Sequence, residues 1–370
     1  MRPMCSLVLL TFLLLLKTGA AYAQSTEGYK DFVLTGKNVL LLTKTGQLKL
    51  IDVASGEPGI SIDTDAPIVA LSADRQGNIV IGETNHLVKS YDEKQKTWHL
   101  VSRYSGKLTG LVFNSQNQCF LITDKGIVDV AGNAIYFPDA AFSKNTEIRY
   151  KGSWFLPPVC FMDRQDNLWL GFNQGEWGGD VFVFDTRKRV FSPLKMDSLE
   201  MTMNPVSGFC EDPQNVYMSG GIAHLFRRHG SIARFTNGVA TSVLQAEDRE
   251  TEIETISKDP KTGKKQKGML IGWRGGHQIG PSAYNPVNKC LYFYSQNGFF
   301  KGKSGTDLSS IKQWNNILKP ALTWTGGSPY AAGPAMNVLK MQFTADGTLL
   351  FLTEHEGLGI YEGKKLRFVR

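Results

Sequence analysis

Cysteine is scarce in this chain, with five in 370 residues. None falls in a Cys-x-x-Cys pair or a Cys/His spacing of metal-ligand type, so no metal site is expected. An oxidising compartment would permit disulfides, but a domain of this size and apolar content does not need them, and buried free thiols are the favoured reading of Cys119, Cys160, Cys210 and Cys290. Helical periodicity is almost absent, which argues against helical and α/β folds. The chain also lacks a phosphate-cradling loop, a nucleophile elbow and an HExxH pair, which sets aside kinases and hydrolases of those classes. No cofactor is implied. After residue 16 no apolar run approaches the roughly 20 residues that span a bilayer.

Positive charge is present only in modest excess. The formal net charge of +7 falls to +5 once Arg2 and Lys17, which lie in an expected leader, are removed. The remaining excess is thinly spread apart from a cluster at Lys258 to Lys267, so nucleic acid is not an expected partner. The leader itself has the parts of a signal peptide: Arg2, a short apolar stretch from Leu7 to Leu16, and Ala21-Tyr22-Ala23 as small residues before a cut at Gln24. Residues 1–23 are therefore expected to be removed. The mature chain, 24–370, is expected in the periplasm or the medium, as a monomer without a transmembrane segment.

What the sequence has in abundance is repetition. An apolar strand, a short polar turn and a second apolar strand recur at Asp31-FVLTGKNVLLLT, Ala70-LSADRQGNIVIGE, Gly110-LVFNSQNQCFLIT, Cys160-FMDRQDNLWLGF, Ser207-GFCEDPQNVYMSG, Ser282-AYNPVNKCLYFYS and Lys340-MQFTADGTLLFLT. Asp and Asn close such turns through bonds to their own backbone, and Gly supplies the left-handed dihedrals. Equivalent second-strand positions are Val39, Ile79, Cys119, Leu168, Val216, Cys290 and Leu349. Most of the intervals match one four-stranded propeller blade. The long one, from Val216 to Cys290, holds a charged stretch near 247–273 with Asp259-Pro-Lys-Thr-Gly263 at its centre, which reads as an inserted hairpin, the alternative being part of an extra blade. Two further β-like runs follow each second strand. The expected fold is an all-β, seven-bladed β-propeller of four-stranded antiparallel blades, forming one domain.

Three of these turns carry a resemblance. Phe161 followed by Asp163-Arg-Gln-Asp-Asn-Leu-Trp-Leu-Gly171 resembles the F-x-x-D-x-x-G-N-L-W-x-G signature of two-component-regulator propeller repeats. Asp74-Arg-Gln-Gly-Asn-Ile-Val-Ile-Gly82 is similar to it, and Asp346-Gly-Thr-Leu-Leu-Phe is a fainter copy. The resemblance implies a propeller and, more distantly, a sensing role. In that family the propellers precede a membrane helix and a kinase, neither of which occurs here.

Strand order within a blade places the loops. Turns between first and second strands share one face of the disc. Loops between second and third strands, together with the connections between blades, share the other. That second face collects Glu176 and Trp177, His224 and Arg227, Glu354 and His355 as candidate binding residues, and Arg274 and His277 as candidate catalytic ones. Arg227 and Arg228 are as readily a solvated pair, and Trp154 and Trp177 as readily junction plugs. His224 and His229, five apart on one β segment, should point to opposite faces, which argues against their sharing a metal. Three readings follow, the least favoured being a scaffold that binds another protein by its edges. The first is binding of a glycan, peptide or small molecule, since aromatic platforms beside polar groups suit sugars. The alternative is a polysaccharide (uronate) lyase or related carbohydrate-active enzyme, with His277 or His355 as the acid or base and Arg274 or Arg227 neutralising a carboxylate.

Overall fold

The second strand of each blade is apolar at nearly every position because it is covered on both sides. The computed structural model describes residues 28–36, 38–145, 154, 156–196, 199–224, 227–325 and 336–370, without the side chains of Pro58, Ile60, His224, Arg227 and Trp273. The expected leader, Tyr150, Phe155 and most of the 324–335 connection lie outside these residues. Seven four-stranded antiparallel sheets span 29–62, 68–103, 108–136, 159–192, 206–245, 279–318 and 338–369, numbered here as blades 1 to 7. Their second strands begin at Asn38, Ile79, Cys119, Asn167, Val216, Cys290 and Leu349, each within one residue of the repeat positions read from the sequence.

Side chains alternate across a strand, so neighbours in sequence serve different junctions. Val39 and Leu41 pack with Leu350 and Leu352 of blade 7, whereas Leu40 and Leu42 pack with Leu71, Ile79 and Ile81 of blade 2. An apolar cluster of this kind fills each of the seven junctions. Trp154 is one such plug, buried against Phe137, Phe172 and Phe182 between blades 3 and 4.

The first strands face inward. Residues from all seven line a central channel of about 820 Å³, among them Lys30, Ser72, Thr109, Ser207, Ser282 and Gln342. Outer strands face water, as the mostly exposed Thr97–Arg103 does. Each terminal blade is complete in itself, with Tyr29–Thr35 to Pro58–Ile62 at one end of the chain and Val338–Phe343 to Leu366–Val369 at the other.

The turns between first and second strands are built by their leading Asp or Asn. Asp74, Asn114, Asp163, Asp212 and Asn285 each accept backbone N–H groups two and three or four residues on, at 2.8–3.4 Å. One position in these turns has a left-handed φ, filled by Gly77, Asn117, Asp166 and Gly347. Adjacent turns also bond to one another. Asn117 accepts from the Arg75 backbone, Asp166 from Ser115, and Glu211 from the Arg164 backbone, which laces blades 2 to 5 on this face.

Between blades 5 and 6 the chain leaves the disc as a two-stranded hairpin, Arg249–Lys258 paired with Lys265–Arg274. The cysteines Cys119, Cys160, Cys210 and Cys290 are free thiols. Among the described residues no helix is long and apolar enough to cross a membrane.

Candidate functional site

The face opposite the Asp turns is assembled from short loops capped by hydroxyls. Thr43, Thr123, Ser295 and Thr353 end their second strands, and each accepts a backbone N–H from the loop that follows, at 2.9–3.2 Å. Blade 4 departs from this pattern. Its loop is a short 3-10 turn, Gly175–Trp177, which sits on a second one, Met201–Met203, in the connection to blade 5. Gly178 permits that approach: its φ is 83°, and a Cβ there would lie 2.3 Å from the Met201 carbonyl oxygen. Asn145 donates to the carbonyls of Trp177 and Gly179 at 2.8 and 2.9 Å. The backbone of this turn is thus held while the Trp177 indole stays 62% exposed. Glu176 is exposed beside it.

Beyond the second 3-10 turn lies an open cavity of about 350 Å³, lined by Glu200, Met203, Asn204, His229, Gln245 and Glu247 among others. Its floor is ordered by hydrogen bonds. Asn204 donates to the Glu200 carbonyl at 2.5 Å, and its side-chain oxygen accepts from Ser231 Oγ at 2.5 Å. The same oxygen lies 3.1 Å from His229 Nε2. An amide oxygen only accepts, so that imidazole nitrogen carries a proton. His229 Nδ1 lies 3.3 Å from Glu247 Oε1. Burial pushes the His229 pKa below its ordinary value, against the opposing pull of Glu247 and Glu200. Burial thus favours the neutral ring, and the Glu247 carboxylate beside Nδ1 favours the charged one.

Asp248 anchors the next stretch. Its two oxygens accept from the backbone N–H groups of Arg228 and Gly276 at 2.6 and 2.7 Å. His277 folds back onto blade 6, where its ring stands edge-on to Phe300 and Asn297 Nδ2 lies 3.3 Å from Nδ1. Burial again lowers its pKa, followed by the positive charge of Arg228. Arg274 is exposed at the end of the hairpin, opposite Arg249. The guanidinium that acts on His277 is that of Arg228.

The candidate residues from the sequence therefore fall into separate groups. Trp177 and Glu176 lie on the 3-10 turn that packs against Met201–Met203, and neither lines the cavity between blades 4 and 5. His224 and Arg227 pair through their backbones across the tip of the adjoining blade 5 hairpin, and their side chains are outside the described residues. His224 and His229 sit on two paired strands, not on one β segment, because the chain reverses between them. Glu354 and His355 lie on blade 7, where Thr325 Oγ1 is 2.7 Å from Glu354 Oε2 and 2.9 Å from His355 Nε2. No set of three or more His, Cys, Asp or Glu side chains among the described residues is placed to hold a metal ion. Glu200, Asn204, Gln245 and Glu247 were not singled out from the sequence. The available signal was the acidic pair Glu247-Asp248 one residue after the last strand of blade 5, and Asn204-Pro205 directly before its first strand.

No protein-family model matches the chain, and no curated protein is similar to it in sequence. Its shape does have counterparts. The crystal structure of the RRP9 WD40 repeats superimposes with a TM-score of 0.56 at 9% identity, over 89% of this chain and 88% of that one. The structure of U3-55K gives 0.55 at 10% identity, over 89% of each chain. This is a seven-bladed propeller of the shape seen in WD40-repeat structures. At these identities the likeness is one of fold.

Proposed function

We propose that this propeller is an exported binding protein that takes a sugar unit or similar hydroxyl-rich ligand at the junction of blades 4 and 5. The observation that carries the reading is the open polar cavity of about 350 Å³, with the exposed indole of Trp177 on the 3-10 turn that packs against Met201–Met203 at its edge. Saccharide rings have apolar faces that suit an indole and hydroxyl edges that suit carboxylates, amides and a neutral imidazole. Glu200 and Glu247 repel a uronate carboxylate, so a neutral or amino sugar is the favoured class. The leader at residues 1–23 supports export. The likeness of Asp163 to Gly171 to two-component-regulator repeats supports, more distantly, a sensing role.

A uronate lyase remains as a second reading because a neutral His277 is influenced by the positive charge of Arg228. In that reading Arg228 takes the place first given to Arg274.

A glycan array followed by calorimetry on any hit tests both. Trp177→Ala and Glu247→Gln should each weaken binding tenfold or more, the loss of about 1.4 kcal/mol or more of contact, with the melting temperature unchanged. Full binding by both variants removes the cavity from consideration. A rise in ultraviolet absorbance on polyuronate, abolished by His277→Ala, would instead establish the lyase.

A further inference from the structure

The hairpin that leaves the disc between blades 5 and 6 has two edges of opposite character. Along Arg249–Lys258 charged residues are frequent: Arg249, Glu250, Glu252, Glu254 and Lys258. Charge on an edge strand discourages pairing with another strand. The Lys265–Arg274 strand is different. Its centre, Gly268-Met-Leu-Ile-Gly272, carries no charge, and Met269, Leu270 and Ile271 are 58%, 61% and 69% exposed. Within the hairpin this segment pairs on one side only, with Thr251 to Thr255. A two-stranded sheet standing alone is marginal in water, and an exposed apolar edge is a template for a further strand.

We propose that this edge is the dimer contact of the protein, pairing antiparallel with the same strand of a second copy about a two-fold axis at Leu270. The segment is its own complement in that register. Gly268 opposes Gly272, Met269 opposes Ile271, and Leu270 opposes Leu270 of the second copy. Met269 and Ile271 lie on the face of the hairpin that carries Glu252 and Glu254, so the four apolar side chains of the two copies close one contiguous patch. Leu270 lies on the other face with Ile253, and these residues form a second patch.

The charges agree with the register. Lys265 opposes Gly275, Lys267 opposes residue 273, and Arg274 opposes Gln266, so no cation of the strand meets another directly. The product is a four-stranded sheet whose outer edges are the two charged strands. Such a contact is isologous and closes at two copies. It also departs from the monomer expected from the sequence. The base of the hairpin is held firmly enough to present it, since Asp248 bonds both the Arg228 and Gly276 backbones.

Sedimentation velocity across the micromolar range tests the assignment. The protein should dimerise, Leu270→Lys and Leu270→Glu should each be monomeric at the same concentrations, and an equal mixture of the two variants should dimerise again. The exposure of Leu270 makes both substitutions tolerable to the fold. Leu270→Cys should give a covalent dimer on mild oxidation, because directly opposed residues of an antiparallel pair bring their Cα atoms to about 4.5–5.5 Å, within disulfide range. Wild-type protein that stays monomeric throughout overturns the proposal, including the case in which another protein's strand fills this edge. So does a dimer that survives Leu270→Lys.

Discussion

Lys340, on the innermost strand of blade 7, places its Nζ 2.7 Å from Asp31 Oδ1 on the innermost strand of blade 1. The same ammonium donates to the Phe32 carbonyl at 2.8 Å and lies 5.0 Å from the Phe32 ring centre. On the opposite side of the blade Arg367 reaches the carbonyls of Val53 and Ala54 in blade 1. These contacts join the first and last blades, with no strand exchanged between the ends of the chain. Beneath them lies the cluster of Val39, Leu41, Leu350 and Leu352.

The cluster should hold the ring shut more strongly than the ion pair. Lys340 and Asp31 are partly exposed, so Lys340→Met should cost about 0.5–1 kcal/mol. Leu352 is fully buried, and Leu352→Ala should cost about 3 kcal/mol. Urea denaturation of the two variants checks the order. Equal losses would mean that the polar contacts, not the apolar ones, close the ring.

Asp166 should be the most sensitive of the turn residues. It is fully buried and accepts from Ser115 N, Ser115 Oγ and Arg187 Nε at 2.6–2.7 Å, linking blade 3 to blade 4. Burial pushes its carboxyl up, but the bonds from Ser115 and Arg187 outweigh this and hold it below the usual range. A depressed carboxyl stabilises the fold above its unfolded pKa of about 4, and that share is lost as pH falls through the lower folded value. Asp166→Asn keeps the shape of the turn and should cost about 1–3 kcal/mol at neutral pH. It should also flatten the acid limb of the stability profile below pH of about 4. An unchanged acid limb would remove Asp166 from that role.

The two lowered histidines act at milder pH. Burial favours neutral His229 and His277 in the folded chain. Their stabilising share is present above the unfolded value of about 6.5 and is lost as pH falls through the lower folded values. The melting temperature should fall between neutral pH and pH of about 5, and less steeply in the double variant His229→Gln, His277→Gln. Parallel curves for wild type and variant would show that other groups dominate this range.

The blade pattern was legible because each blade repeats the same requirements. An Asp or Asn leads five of the seven turns, and a strand covered on both sides must be apolar at nearly every position, as Asn38–Thr43 and Ile79–Glu83 are. The cavity obeys no repeat. Glu200 and Asn204 come from one connection, His229 from a third strand and Glu247 from the next connection, and only the curvature of the ring brings them together. Trp177 was visible as an unusual residue, but its exposure depends on the glycine at 178 and on Asn145, more than thirty residues earlier in the chain. The pairing of His277 with Arg228 was hidden for the same reason, since Asp248 holds their two backbone segments together.

The hairpin should be separable from the disc. Its residues 249–272 are nearly all exposed or half-exposed, and its two strands pair only with each other among the described strands. None of the junction clusters draws on it. What ties it to the disc is Asp248, and the backbone N–H of His277 bonds the Ala246 carbonyl at 3.0 Å. A short Gly-Ser link in place of 250–272 leaves both of these anchors intact. The shortened protein should therefore remain soluble and keep its melting temperature within a few degrees, since surface changes away from the core are usually worth within about 0.5 kcal/mol. It should also sediment as a monomer, and any ligand of the blade 4–5 cavity should bind it as before. Loss of soluble expression would show that the hairpin contributes to the disc itself. Retained solubility with lost binding would place the ligand on the hairpin, not in the cavity.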